Sequence, residues 1–166
     1  YKHLIEKKVK GLIFDVRDNG GGTVDSVCEI LDILVGKCDL ITIVYADGSK
    51  SVDNIAKSDA NKCNLPIIVL TNGNTASAAE LFAASLKDFD KADIVGEQTF
   101  GKGVMQSVYK LDDGSAVSVT VAEYKTTVSD CYNGIGIAPD HIVPTSDEDK
   151  TDLQLSKAIE VINELD

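Results

Sequence analysis

Two residues of this chain are placed for chemistry, Ser77 and Lys102. Ser77 lies in Asn72-Gly73-Asn74-Thr75-Ala76-Ser77-Ala78-Ala79-Glu80. The apolar run Leu65 to Thr71 precedes it, and Ala78, Leu81, Phe82, Ser85, Leu86 and Phe89 follow at helical spacing, so the serine is predicted at a strand-to-helix turn. Main-chain N–H groups at such a turn, that of Ala78 first, can stabilise a developing oxyanion. The serine hydroxyl can act as a nucleophile there if a base takes its proton. A plainer reading stands beside this one. With Glu80 at the N3 position, Ser77 matches the S-x-x-E capping box that opens helices, and Thr75 is a second candidate cap.

Few groups can serve as the base. His3 stands near the first residue and His141 sits in Pro139-Asp140-His141-Ile142-Val143-Pro144. Both read as polar surface positions, and a Ser-His-Asp triad would have to recruit one of them. Lys102 is the other option, in the glycine-punctuated loop Gly96-Glu97-Gln98-Thr99-Phe100-Gly101-Lys102-Gly103 with Gln106 after it. Burial disfavours a lysine's charged form and can lower its pKa until the amine accepts a proton near neutrality. Activity would then rise with pH. The run from Gly96 to Lys102 also fits G-x-x-x-x-G-K, yet Gly103 replaces the Ser/Thr a phosphate loop requires, and no helical pattern follows.

Composition narrows the classes further. Against 16 basic residues stand 27 acidic ones, a formal charge of −11, so no nucleic acid is expected as a partner. No apolar run approaches the length of a membrane-spanning helix, about 20 residues. The opening Tyr1-Lys2-His3-Leu4-Ile5-Glu6-Lys7-Lys8 reads as the tail of an amphipathic helix. That suggests a piece of a longer chain, with any targeting segment upstream. Cys28, Cys38, Cys63 and Cys131 show neither a C-x-x-C pair nor zinc-ligand spacing, so neither a metal nor an organic cofactor is expected. Cys28 falls on a helical apolar stripe and reads as a buried thiol, although an even count permits two disulfides.

The elements that must position the serine and the lysine are legible as alternations of pattern. Val9 to Val16 reads as a strand covered on both faces, and Arg17-Asp18-Asn19-Gly20-Gly21-Gly22 as a turn able to approach a ligand closely. Thr23 is the expected cap of a helix with Val24, Val27, Cys28, Leu31, Leu34 and Val35 inward. Leu40 to Tyr45 and Lys50 to Ile55 flank Asp47-Gly48 as a hairpin. Ala92 to Gly96 is a short strand. Ser107 to Leu111 and Ala116 to Tyr124 form a second hairpin. Residues 132–144 read as loop, and Asp152 to Leu165 as a closing helix with Leu153, Leu155, Ala158, Ile159 and Ile162 inward. The class expected is α/β, a single domain over 1–166 with a mixed β-sheet flanked by helices.

Four separated blocks carry a resemblance. Asp15-Val16-Arg17-Asp18-Asn19-Gly20-Gly21-Gly22, Asn74 through Glu80, Gly96 through Gln106, and Gly134-Ile135-Gly136-Ile137-Ala138-Pro139-Asp140 resemble, in order and spacing, those of the C-terminal processing peptidases, or tail-specific proteases. The resemblance implies a crotonase-like peptidase core and a serine endopeptidase with a Ser-Lys dyad. Ser77 then matches the nucleophile, Lys102 the general base and Gln106 the residue orienting that lysine. The oxyanion hole matches the N–H of Ala78 with that of Gly21, favoured over Gly22. Gly20 departs from the proline common in this turn, and Ala79 from a second serine. Implied partners are protein or peptide substrates recognised by their C-terminal tails. A PDZ domain is expected elsewhere in the full-length chain, the location implied is extracytoplasmic, and a homo-oligomer is compatible with the family. The competing readings are a catalytically silent core that binds peptides or partners, and an enzyme using His3 as base.

Overall fold

Continuous and alternating apolar runs sort the strands into two sheets. The computed structural model describes residues 4, 6–36, 38–56, 63–146 and 150–165. Half of the expected helix tail at residues 1–8 and most of the surface segment 57–64 lie outside them. The strands are β1 (Leu12–Asp15), β2 (Cys38–Tyr45), β3 (Lys50–Ala56), β4 (Ile67–Thr71), β5 (Ala92–Gly96), β6 (Val104–Lys110), β7 (Ala116–Thr126) and β8 (His141–Ile142). The helices are α1 (Val24–Leu34), α2 (Ala78–Asp88) and α3 (Leu153–Glu164). Strands β1-β4-β5-β8 make a parallel sheet, and the two hairpins combine as an antiparallel sheet ordered β3-β2-β7-β6. The α/β expectation therefore holds, its parallel and antiparallel parts being separate sheets.

Strand β4 shows why its run is uninterrupted. All five of its residues are buried, because Ile67 and Val69 point into a core shared with α1, α2 and the antiparallel sheet, while Ile68 and Leu70 meet Ala158, Val161 and Ile162 of α3. A strand with period 2 and both faces covered must be apolar at every position. The same argument applies to α2. Lying in the shared core, it buries every residue from Ala78 to Leu86, more than a one-sided stripe. Helix α1 keeps its stripe, with Val27, Cys28, Leu31 and Leu34 buried and Thr23 accepting from the Ser26 N–H as the expected cap.

Two sequence expectations are corrected. Helix α3 turns Gln154, Ala158, Val161 and Ile162 inward, and leaves Leu153, Leu155 and Ile159 exposed. The burial of Gln154 decides this rotation, because its amide is satisfied by hydrogen bonds to the Val143 carbonyl and from Arg17. The segment 132–144 also contains a strand. His141 and Ile142 pair in parallel with Val95 and Gly96, an element too short to leave a period in the sequence.

Candidate active site

The serine turn is strained where chemistry would need it. Ser77 takes φ 58° and ψ −123°, a conformation costing a non-glycine residue about 1–3 kcal/mol and persisting only where its surroundings enforce it. Those surroundings are identifiable. Buried Thr75 donates to the Val16 carbonyl (2.8 Å) and accepts from Asn72 N–H (3.1 Å), so it braces the turn and does not cap the helix. Asp18 Oδ1 accepts from the side chains of Asn72 and Asn74, and the Ala76 N–H donates to the Asn19 carbonyl. These bonds tie the first βα turn to the serine turn, and the Asn74 amide, with that of Asn72 second, holds the Asp18 carboxyl below its usual pKa.

Gly21 shows how close that approach is. Its φ is +110°, and a Cβ there would lie 2.7 Å from Ser77 Cβ and 2.9 Å from the Ala76 carbonyl oxygen. No larger residue fits. The Gly21 N–H donates to Asn19 Oδ1 at 2.9 Å, whereas a Gly22 Cβ would meet nothing within 4 Å. At the start of α2 the N–H groups of Ala79, Glu80 and Leu81 bond to Ala76 or Ser77 carbonyls. The N–H of Ala78, the first helical residue, has no hydrogen-bond partner among the described residues, as expected of a helix N-terminus.

Glu80 is the residue that sequence reasoning undervalued. The capping-box motif gives it one bond, and the structure gives it four. Its fully buried carboxylate accepts from Ser77 N–H (2.9 Å) and Lys102 N–H (2.7 Å) at Oε2, and from Thr99 Oγ1 (2.6 Å) and Gly101 N–H (2.7 Å) at Oε1. The serine and lysine backbones are thus joined through a single oxygen. Sequence could have flagged only that a carboxylate deep on the apolar α2 must have partners. The fourth block completes the arrangement from behind. Thr99 Oγ1 accepts from Ile137 N–H and Gly101 O from Gly134 N–H, and a Cβ at Gly136 would lie 2.2 Å from the Thr99 carbonyl oxygen.

The side chains are arranged differently from the backbones. The Glu80 N–H is bonded to the Ser77 main-chain carbonyl at 2.9 Å, and Ser77 Oγ lies 3.2 Å from the hydroxyl of Tyr124 on β7, which also donates to the Lys102 carbonyl at 3.1 Å. Lys102 is half-buried, and its amine hydrogen-bonds neither Ser77 Oγ nor Gln106 among the described residues. Gln106 stands exposed on β6 beside a register shift, a bulge of the kind that re-aims side chains. His141 is turned to Asp93, its Nε2 3.5 Å from the carboxylate. His3 lies outside the described residues. Beside Ser77 an apolar hollow of about 380 Å³ is lined by Phe14, Val27, Ile30, Ala78 and Phe82 together with Gly21.

Arg17 holds the glycine turn from the other side. Its guanidinium bonds Asp15 (2.6 Å), Asp152 (2.8 Å) and Gln154 (3.1 Å), linking the end of β1 to the first turn of α3, where Asp152 is the N-cap. The bonds from Arg17 hold both carboxyls below their usual range. Their contribution to stability is then complete above the unfolded value of about 3.9 and is lost as the pH falls through the lowered folded values. The side chains of Asp15 and Asp152 are 50% and 38% exposed, so solvent screening limits the clamp to about 1 kcal/mol. Arg17→Met should lower the melting midpoint at neutral pH by about 2–4 °C. Melts in progressively more acidic buffer should show that difference shrink to the part that the non-titrating Gln154 bond supplies, and a constant gap would mean that the two carboxylates are not its source.

Residues 1–143 match the family described as Peptidase family S41. The chain is 41% identical over 142 residues to the chloroplastic C-terminal processing peptidase of Tetradesmus obliquus, covering 84% of this chain and 30% of that protein. It is 35% identical over 159 residues to the carboxyl-terminal-processing protease of Picosynechococcus sp., covering 92% of this chain and 38% of the relative. The solved structure of a photosystem II D1 C-terminal processing protease superposes with a TM-score of 0.76 at 40% identity, covering 86% of this chain and 36% of that one. The chain spans about a third of the length of these relatives.

Proposed function

The chain belongs to peptidase family S41, among the C-terminal processing peptidases, and from that membership we propose that it is the core of a serine endopeptidase working through a Ser77-Lys102 dyad. The observation that carries this reading is the shared Glu80 Oε2, which binds the N–H of the strained serine and that of the lysine. An enforced turn of this kind presents a side chain outward at a helix N-terminus.

In the proposed reaction the neutral Lys102 amine takes the Ser77 hydroxyl proton as the oxygen attacks the scissile carbonyl. Gln106 orients the amine. The carbonyl electron pair moves onto its oxygen, which the N–H groups of Ala78 and Gly21 receive. Collapse of this intermediate expels the amine, which takes the proton from Lys102, and leaves an acyl-serine. Water, deprotonated by Lys102, then releases the acid and restores Ser77. Support for the Ala78 donor is that its N–H has no partner among the described residues. The Gly21 N–H would be shared with, or released by, Asn19. The apolar hollow beside Ser77 suits an aliphatic substrate side chain, and Phe100 of the lysine loop is itself exposed. Selection of protein substrates by their C-terminal tails would fall to a PDZ domain elsewhere in the full-length protein. Its setting would be extracytoplasmic.

A fluorophosphonate probe tests the reading on the full-length protein. It should label the wild type on Ser77 and leave Ser77→Ala unlabelled, in step with cleavage of a tail-bearing substrate. Turnover that survives Ser77→Ala would remove the serine from the chemistry, and a wild type that neither labels nor cleaves would favour the silent binding core.

A further inference from the structure

Tyr124 presents one hydroxyl to both the Ser77 hydroxyl and the Lys102 main chain. Its ring is 2% exposed and packs edge-on against Tyr132, with ring centroids 6.2 Å apart, so strand β7 and the core fix its direction. Its hydroxyl lies 3.2 Å from Ser77 Oγ and 3.1 Å from the Lys102 carbonyl oxygen. Donor counting orients both contacts. A phenol has one proton and a main-chain carbonyl can only accept, so the Tyr124 proton is committed to Lys102. The hydrogen bond to Ser77 must then run the other way, with the serine hydroxyl donating to the tyrosine oxygen.

We propose that Tyr124 is a positioning residue for the peptidase reaction: its oxygen holds Ser77 Oγ over the lysine loop, and its proton pins the Lys102 carbonyl. This rests on the reading of Ser77 as nucleophile. In the resting site the serine O–H, its proton still on Oγ, points at the Tyr124 oxygen. When substrate arrives, the O–H turns about the Cβ–Oγ bond toward the Lys102 amine, the O–H bond breaks as its proton passes to nitrogen, and the freed oxygen electron pair attacks the carbonyl. Tyr124 gains and loses no proton at any step. Burial pushes its phenol pKa up, which keeps it protonated and separates this role from that of a base.

Tyr132 supplies the internal control. It is nearly as buried, 5% exposed, but among the described residues its hydroxyl, which lies near that of Tyr124, has no partner in hydrogen-bond geometry, so its removal leaves the Ser77 and Lys102 contacts of Tyr124 in place. The experiment compares Tyr124→Phe, Tyr132→Phe and Ser77→Ala in the full-length protein, reading kcat and KM on a tail-bearing peptide, the fluorophosphonate labelling rate and the melting midpoint. Tyr124→Phe is expected to lower kcat and the labelling rate together by about tenfold, with KM within about twofold and an unchanged pH dependence. Tyr132→Phe should match the wild type in all four. Equal effects of the two Phe variants, an unaltered kcat in Tyr124→Phe, or its failure to fold would assign the hydroxyl to the core and overturn the proposal. Loss of the pH dependence in Tyr124→Phe would make it the base and overturn it as well. Retained turnover in Ser77→Ala would instead remove the premise, a result distinguishable from all of these.

Discussion

Lys102→Ala in the full-length protein is expected to lower kcat by about a hundred- to ten-thousandfold, the range associated with removing a general base, while KM changes little. The substitution is clean because the ties of this residue to the fold are main-chain: its N–H donates to Glu80 and its carbonyl accepts from Tyr124. Alanine keeps both, and the melting midpoint should stay near that of the wild type. Lys102→Arg should be as inactive as Lys102→Ala, since a guanidinium does not give up its proton in a protein. Steady-state kinetics on a tail-bearing substrate check the pair. Near-normal turnover in Lys102→Ala would end the dyad and return attention to the histidines.

Glu80→Gln should harm both fold and turnover. Every acceptor position of the Glu80 carboxylate is occupied by a donor from Ser77, Thr99, Gly101 or Lys102, and the side chain is sealed from water. Glutamine has the same size but turns one oxygen into an NH₂ group facing those donors. At least two hydrogen bonds are lost where water cannot replace them, so the cost is about 3 kcal/mol or more. That corresponds to a fall of roughly 6–12 °C in the melting midpoint. Turnover should fall by about a hundredfold even where the variant is folded, because the serine and the lysine loop are no longer fixed to one oxygen. Thermal melts and kinetics below the variant's midpoint separate the two effects. A variant that melts normally and cleaves normally would show Glu80 to be a simple helix cap.

Lys102→Ala tests a residue that sequence singles out, and Glu80→Gln one that only the fold explains. Ser77 and Lys102 attract attention because strand-to-helix turns and glycine-rich loops are written in local residue order. Glu80 reads locally as half of a capping box, and its other three bonds come from a loop distant in sequence. Tyr124 reads locally as one more residue of an alternating strand. Its role depends on where β7 lies relative to α2, which a period of 2 does not encode. Helix α3 makes the same point in reverse. Leu153, Leu155 and Ile159 are more apolar than Gln154, yet Gln154 is inside because Arg17 and the Val143 carbonyl satisfy its amide.

The sequence by itself determined the α/β class, the serine turn, the lysine loop, the glycine turn and the family, because each is a short-range pattern or an ordered set of such patterns. Only the tertiary structure decided what stands between them. It separated the hairpins into their own sheet, gathered the serine and lysine backbones on the Glu80 carboxylate and turned the Ser77 hydroxyl to Tyr124. These are hydrogen bonds between groups far apart in the chain, and their partners are chosen by packing and by the cost of leaving a buried polar group unpaired.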